Sequence, residues 1–218
     1  MKKGALTVES LREEAKIFSQ QETNHNEPCL YGITDGKAVG TYLEHKFQKY
    51  LHNKFTYIEG SSAKGIDFPE LFVDLKVTSV KQPQSSCPFK SARQKIYGLG
   101  YSLLVFVYNK VDDPQKQTAN LQILHTVYVE RERTGDYQMT TGLQKIVENH
   151  GNTDDILAFF QERLLPADDI IAEQLAKEVL ANPPLTGYLT ISNALQWRLQ
   201  YQRVISEAGK TNGIIKVT

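Results

Sequence analysis

The sequence is poor in cysteine and has no long apolar run. It has 218 residues and only two cysteines, and neither lies in a Cys-x-x-Cys or Cys/His spacing. A disulfide framework and a structural zinc site are therefore not expected. No apolar stretch approaches the length of a membrane span. The N-terminus, Met1-Lys-Lys-Gly4, lacks the apolar core of a secretory signal, so we expect a cytoplasmic chain with no membrane partner.

Several common catalytic motifs are missing as well. The five histidines show neither an HExxH motif nor the context of a catalytic triad. No Walker A motif or nucleophile elbow occurs, and Gly98-Leu-Gly100 is too short for a nucleotide fingerprint. With 23% charged and 40% hydrophobic residues, the chain suits one globular domain, or a core with an appended subdomain.

The chain also has no net charge, but its charges are unevenly distributed. From Lys76 to Lys110 there are six basic residues and no Asp or Glu. Acidic residues gather instead between Glu148 and Glu178. A positive strip of this kind would attract a phosphate backbone. The alternative is an ordinary solvated surface.

The stretch from Gly65 to Ser79 predicts a β-strand preceded by an acidic turn. Alternation along the strand places Asp74 and Lys76 on one face, about 7 Å apart, opposite a purely aliphatic face. Asp67 returns from the turn, so two carboxylates can converge on a divalent cation that the lysine also faces. This set suits phosphodiester hydrolysis, because Mg²⁺ prefers carboxylate, water and phosphate oxygens and acidifies bound water. The alternative is a half-buried strand with an ion pair.

The order of predicted elements indicates an α/β core, since helix, three strands, helix and strand follow one another. The predicted helices cover 11–18, 35–53, 89–99, 169–180 and 191–208. The predicted strands cover 55–59, 71–80, 102–108 and 121–130, and Asp67 lies on a further strand or at its edge between the first two. A turn is predicted at 60–65 and a loop at 81–88. We divide the chain into an N-terminal helix and linker (1–30), a core (31–135) and a mostly helical C-terminal region (136–218).

This order, together with Asp67 and Asp74-Leu-Lys76, resembles the PD-(D/E)xK nuclease superfamily, and most narrowly type II restriction endonucleases. The resemblance covers roughly residues 36–110. It implies a restriction-endonuclease-like core, with a central mixed β-sheet flanked by helices. One departure is Ile66, which precedes Asp67 where the family pattern often has proline; Pro69 follows two places later instead.

The resemblance also implies roles for individual residues. Asp67 and Asp74 would be ligands of Mg²⁺, for which Mn²⁺ would substitute, and Lys76 would orient or activate the attacking water. Many family members add an acid from the helix before the strands, and Glu44 matches it as a further catalytic residue. The alternative for Glu44 is a solvent-facing side chain paired with helical lysines.

The acid-free segment after the strand favours contacts with DNA. Its hydroxyls, amides and lysines suit phosphate contacts, and Gln82 or Gln84 could bond base edges. A polar connector is the alternative. The predicted DNA-binding residues are Lys81, Gln82, Gln84, Ser85, Lys90, Arg93, Gln94 and Lys95.

The last predicted helix carries aromatic and basic residues together. Trp197, Arg198 and Arg203 could read DNA or serve a dimer. The stripe of Leu195, Trp197 and Leu199 favours packing on the core, with some interface role.

The sequence therefore predicts a type II restriction endonuclease that hydrolyses double-stranded DNA at specific sites with Mg²⁺. The resemblance and the symmetry of duplex targets imply a homodimer, and a restriction system implies a cognate DNA methyltransferase. Two alternatives stay open: a structure-selective repair or junction-resolving nuclease, and a catalytically inactive DNA-binding module of the same fold.

Overall fold

The computed structural model describes residues 3–60, 65–192 and 196–218. The helices are α1 (Val8–Thr23), α2 (Gly36–His52), α3 (Arg93–Tyr97), α4 (Tyr137–Glu148), α5 (Thr153–Glu162), α6 (Asp169–Ala181) and α7 (Gln202–Glu207). The strands are β1 (Gly4–Ala5), β2 (Asn26–Glu27), β3 (Phe55–Thr56), β4 (Val73–Ser79), β5 (Gln84–Pro88), β6 (Ser102–Asp113), β7 (Thr118–Val129), β8 (Thr190–Ile191), β9 (Gln196–Gln200) and β10 (Ile214–Lys216).

These elements form two compact units. The first unit comprises the chain up to Gln84, Ser102–Val129 and Glu207–Thr218, and the second comprises Ser85–Tyr101 and Glu130–Ser206. The division into 1–30, 31–135 and 136–218 stays a prediction about domains. Among the helices described, none is both long and apolar enough to cross a bilayer.

A mixed β-sheet forms the centre of the first unit, in the order β10-β7-β6-β4. β4 runs parallel to β6, whereas β6 with β7 and β7 with β10 are antiparallel. The short β2 also pairs with β7. Helix α1 packs on β7 and α2 on β4, so the predicted α/β class with a mixed sheet flanked by helices is confirmed.

The sequence explains the limits of α2. The carboxylate of Asp35 accepts a hydrogen bond from the backbone N–H of Lys37 at 2.9 Å and caps the N-terminus. The predicted apolar spacing is realised, since Val39, Leu43, Phe47 and Leu51 are all buried. The predicted helix over 35–53 therefore matches α2 with its two caps.

An aromatic cluster joins the helices to the sheet. The ring of Phe47 lies 4.9 Å from that of Phe18 on α1 and 5.1 Å from that of Phe106 on β6. Phe47 and Phe106 are fully buried. This cluster fixes α2 over the sheet.

Two polar contacts repeat along the antiparallel α1 and α2. Glu22 of α1 pairs with Lys46 of α2 at 2.8 Å. Eight positions back along α1, Glu14 pairs with Lys54, which follows α2, at 2.6 Å and accepts the hydroxyl of Tyr50. The side chains of Glu22 and Glu14 are 3% and 15% exposed. These pairs set the register of α2 against α1.

The second unit combines helices with a three-stranded sheet of order β5-β9-β8. Its apolar cluster includes Ile96 of α3, Leu143 of α4, Phe160 of α5 and Val179 of α6. Helix α6 was expected at 169–180 and is found at Asp169–Ala181. Helices α4 and α5 fall in a region for which we predicted only mostly helical structure.

Three local predictions are wrong. The expected loop at 81–88 contains β5, and the expected helix at 89–99 shortens to α3, which ends before Gly98 at φ 88°. The expected helix at 191–208 is replaced by β9 and α7, because Trp197, Leu199 and Tyr201 are all buried with the period of a strand. The predicted stripe residue Leu195 and positions 61–64 of the predicted turn lie outside the described residues.

Replacing Phe47 tests the aromatic cluster. We expect Phe47→Ala to lower the free energy of unfolding by about 3–5 kcal/mol, because it opens a cavity between α2 and the sheet. Urea denaturation measures the loss. Phe72→Ala is the matched control, since Phe72 is 59% exposed, and its loss should stay below about 1 kcal/mol. Equal losses for the two variants would contradict the packing described here.

Candidate active site

A tight turn brings Asp67 beside β4. Phe68 and Val73 exchange two backbone hydrogen bonds, of 2.9 and 3.2 Å. Inside them the N–H of Leu71 donates to the carbonyl of Phe68 at 3.1 Å, with Pro69 at the second turn position, where proline is favoured. The proline that departs from the family pattern thus builds the turn, and antiparallel pairing places Asp67 opposite Asp74.

Asp67 is held from two sides. Its Oδ2 accepts a hydrogen bond from the N–H of Leu75 at 2.8 Å, and its carbonyl accepts one from Gly60 at 2.9 Å. A Cβ at position 60 would lie 1.7 Å from the carbonyl oxygen of Ile66, so only glycine permits this approach. The N–H of Leu75 thus orients the carboxylate, and Gly60 fixes the backbone of Asp67.

Asp74 is a buried acid beside a lysine. It is 3% exposed, and its Oδ2 lies 2.7 Å from the Nζ of Lys76. The pKa of Asp74 is raised to about 7, because burial and the neighbouring Asp67 together outweigh the opposing charge of Lys76. Two carboxyl groups thus meet in one place, and Asp74 binds a proton more readily there than an exposed aspartate would.

Glu44 faces the same place from α2. It lies one position after the buried Leu43, and α2 meets β4 where Gly40 approaches Val77. The pKa of Glu44 is raised to about 7, mainly by burial and also by the charge of Asp67, against the opposing charge of Lys76. The structure therefore places Glu44 toward the carboxylates and not toward helical lysines.

These four side chains line one polar cavity of about 400 Å³. The residues of its wall that the sequence analysis did not identify include His45, Gln48 and Glu59. Gln48 follows Glu44 by one helical turn, which was an available signal; nothing local indicated Glu59. Glu70, the acid that follows Pro69 in the turn, does not line this cavity. Its carboxylate accepts a hydrogen bond from the N–H of Ile58 at 3.2 Å.

Comparison with known proteins identifies the family. The profile of the type II restriction enzyme NspV family matches residues 5–216. The chain belongs to the NspV family of type II restriction enzymes. The type II restriction enzyme NspV of Nostoc sp. is 62% identical over 212 residues, which cover 97% of this chain and 96% of the relative. No solved structure matches the chain.

Family membership confirms the predicted class. The chain is a type II restriction enzyme, a site-specific deoxyribonuclease. Enzymes of this class act on double-stranded DNA and generally use divalent metal ions. The resemblance to type II restriction endonucleases drawn from Asp67, Asp74 and Lys76 is therefore confirmed at the level of the family.

The donor set fits a hard divalent cation. Asp67 and Asp74 offer carboxylate oxygens to the same cavity. Among the residues described, no group of three or more His, Cys, Asp or Glu side chains is arranged to hold a metal. A site with two carboxylates leaves positions for water and phosphate, which is the arrangement that Mg²⁺ usually takes.

The predicted DNA-binding residues differ in their surroundings. Lys81, Gln82 and Lys90 are exposed. The backbone N–H of Gln84 donates to the Thr78 hydroxyl at 2.9 Å. Ser85 bonds the hydroxyl of Tyr201. The exposed members remain predicted DNA contacts.

The other three have partners within the second unit. Arg93 forms an ion pair with Glu178 at 2.6 Å, and the amide nitrogen of Gln94 donates to the carbonyl of Leu99 at 2.8 Å. Lys95 is 5% exposed, and burial lowers its pKa, against the charge of Asp136. Burial takes Lys95 out of reach of a DNA backbone in this conformation.

A pH-dependent stability difference tests the position of Glu44. Because the folded-state pKa is raised to about 7, the folded protein favours neutral Glu44, and stability is lost as pH rises from the unfolded value through about 7. Glu44→Gln stays neutral. We expect it to raise the free energy of unfolding by about 1 kcal/mol near pH 8.5 after solvent screening, and less as pH falls toward 5.

The measurement is urea denaturation in EDTA across this pH range. Glu13→Gln is the control, since Glu13 is exposed on α1 and should leave stability unchanged at each pH. If Glu44→Gln raised the free energy of unfolding equally at every pH, the carboxylate of Glu44 would not be destabilised by its surroundings in the fold.

Proposed function

We propose that this cavity is the hydrolytic centre of a Mg²⁺-dependent endonuclease with a restriction-endonuclease-like core. The observation that carries the proposal is the convergence of three carboxyl groups, those of Glu44, Asp67 and Asp74, with the Lys76 ammonium on one cavity. Carboxyl groups that are crowded together are well suited to bind a divalent cation, because its charge relieves their mutual repulsion. Mn²⁺ would substitute, because it accepts the same oxygen ligands.

Each side chain has a role that follows from its position. Asp67 and Asp74 would hold Mg²⁺, which when bound polarises a phosphoryl oxygen and acidifies water. Lys76, 20% exposed at the cavity wall, would leave Asp74 and stabilise the negative charge that develops on the phosphorus-bound oxygens. Glu44, with its pKa raised to about 7, can accept a proton from water near neutral pH.

The wider proposals follow from the family. We place the enzyme in the cytoplasm, where its DNA substrate lies, with a cognate methyltransferase protecting the host sequence. A homodimer would present two cavities to the two strands of a symmetric site. Family membership sets aside the repair nuclease and the inactive module, although the Asp74–Lys76 ion pair expected of the latter is present.

Removing the buried acid tests the catalytic assignment. Asp74→Ala should reduce Mg²⁺-dependent cleavage of a mapped plasmid by more than about 100-fold, because a cation ligand is lost. Duplex binding should fall by no more than a few-fold. EDTA should abolish wild-type cleavage, and Mn²⁺ should restore it.

A matched ion pair on another strand provides the control. Lys110 and Asp112 also lie two positions apart on a strand and are ion-paired, on β6. Asp112→Ala should cleave like the wild type and give the same discrete fragments. Full activity of Asp74→Ala would disprove the proposed centre, and fragments without fixed ends would contradict site-specific cleavage.

The proposed dimer has a separate test. A homodimer with two cavities should convert supercoiled plasmid directly to the linear form, and light scattering should give twice the chain mass. Accumulation of nicked circles by a protein of single-chain mass would contradict the dimer while leaving the hydrolytic centre in place.

A further inference from the structure

The three-stranded sheet of the second unit has one packed face and one open face. Trp197 and Leu199 of β9 and Tyr201, which directly follows β9, are fully buried, and they alternate with Arg198 and Gln200, which are exposed. The neighbouring β5 follows the same rule. Its Cys87 is buried and Ser86 is exposed.

Side-chain contacts show how β5 and β9 match. The hydroxyl of Ser85 bonds that of Tyr201, and the ring of Phe89 meets that of Trp197 edge-on at 5.0 Å. The same pairing sets Ser86 beside Gln200 on the opposite face. The open face is therefore a small antiparallel platform of polar groups.

Arg198 differs from three exposed cations of this unit that acidic side chains neutralise. Arg93, Arg131 and Lys177 are paired with Glu178, Glu132 and Glu173 at 2.6–2.7 Å. Within the described residues the Arg198 guanidinium has no acidic partner, and the Gln200 amide has no hydrogen bond. Neither β5, of sequence QSSCP, nor β9, of sequence QWRLQ, contains an acid. The platform thus offers a cation, Arg198, and an amide group, Gln200, that remain available to a ligand.

The spacing of these groups fits stacked base pairs. Alternate residues of a strand are about 6.7 Å apart, which is close to two base-pair steps of about 3.4 Å each. The major groove admits a two-stranded β-ribbon. There an arginine can bond guanine O6 and N7 together, and a glutamine can bond adenine N6 and N7.

We propose that the open face of β5 and β9 is a base-reading surface for double-stranded DNA, with Arg198 and Gln200 as specificity-determining residues. The inference rests on the proposed DNA-cleaving function but not on the assignment of the catalytic cavity. In this proposal, DNA is hydrolysed at the cavity of Asp67, Asp74 and Lys76. Arg198 and Gln200 determine which DNA sequence the enzyme binds.

The test compares binding to two duplexes. One carries the site mapped from the ends of wild-type plasmid fragments, and the other carries the same bases in scrambled order. Affinities are measured by fluorescence anisotropy with the full-length protein and Ca²⁺ in place of Mg²⁺, so that cleavage does not interfere. We expect Arg198→Ala to weaken binding of the site duplex by about 10- to 100-fold and of the scrambled duplex by no more than about twofold.

Two further variants make the result decisive. Arg198→Lys keeps the charge but loses the bidentate geometry, so it should resemble Arg198→Ala on the site duplex. Lys145→Ala removes an exposed cation from α4 of the same unit and should change neither affinity. Gln200→Ala should also weaken binding of the site duplex selectively, by a similar factor.

Several outcomes would overturn the inference. Equal losses on both duplexes, rescued by Arg198→Lys, would make Arg198 a phosphate contact only. Wild-type affinities for Arg198→Ala and Gln200→Ala would exclude the surface altogether. Thermal melting shows whether each variant is folded. If Arg198→Ala melts at a lower temperature than the wild type, the binding of Arg198→Lys to the two duplexes is used to judge the inference instead. Because binding is scored without cleavage, a failed catalytic assignment would appear only in the Asp74→Ala assay.

Discussion

The crowding of Asp67 and Asp74 is the constraint on which the site depends. Two carboxyl groups in one poorly hydrated place cannot both carry charge without compensation. Lys76 balances one charge at 2.7 Å from Asp74, and a proton or a cation must balance the other. The supports that surround them, the Phe68–Val73 pairing and the approach of Gly60, hold the acids together against their repulsion. In the proposed hydrolytic centre, a bound divalent cation would relieve this repulsion.

Local sequence patterns predicted two kinds of element correctly. These are elements whose contacts lie close in the sequence, and elements whose apolar residues follow a single period. The alternation of side chains predicted for β4 is found in the structure. The cap at Asp35 and the apolar spacing predicted for α2 are found as well. The segment around Trp197 was misjudged because leucines at 195 and 199 suit a helix, while burial of Trp197 and Tyr201 suits a strand. The pairing of β9 with β5, more than 100 residues earlier in the chain, decides between them, and no local signal carries that information.

The sequence also predicted only part of the candidate site. Asp67, Asp74 and Lys76 could be identified because the short strand and its turn bring them together locally. The direction of Glu44 depends on which side of α2 meets β4, and that is set by the Gly40–Val77 approach, a tertiary contact. Glu59 enters the cavity wall only through the fold of the chain around it.

Sequence clustering of charge is a poor guide to the charge that a ligand meets. Arg93 and Lys95 belong to the acid-free strip, yet one is neutralised by Glu178 and the other is buried. Arg198 lies outside the strip and remains exposed and unpaired among the described residues. An ion-paired arginine must first lose its partner before it can bind phosphate or a base, which reduces the net gain. Zero net charge therefore does not prevent a chain from binding a polyanion such as DNA. What matters is that a few cations without acidic partners lie on one surface.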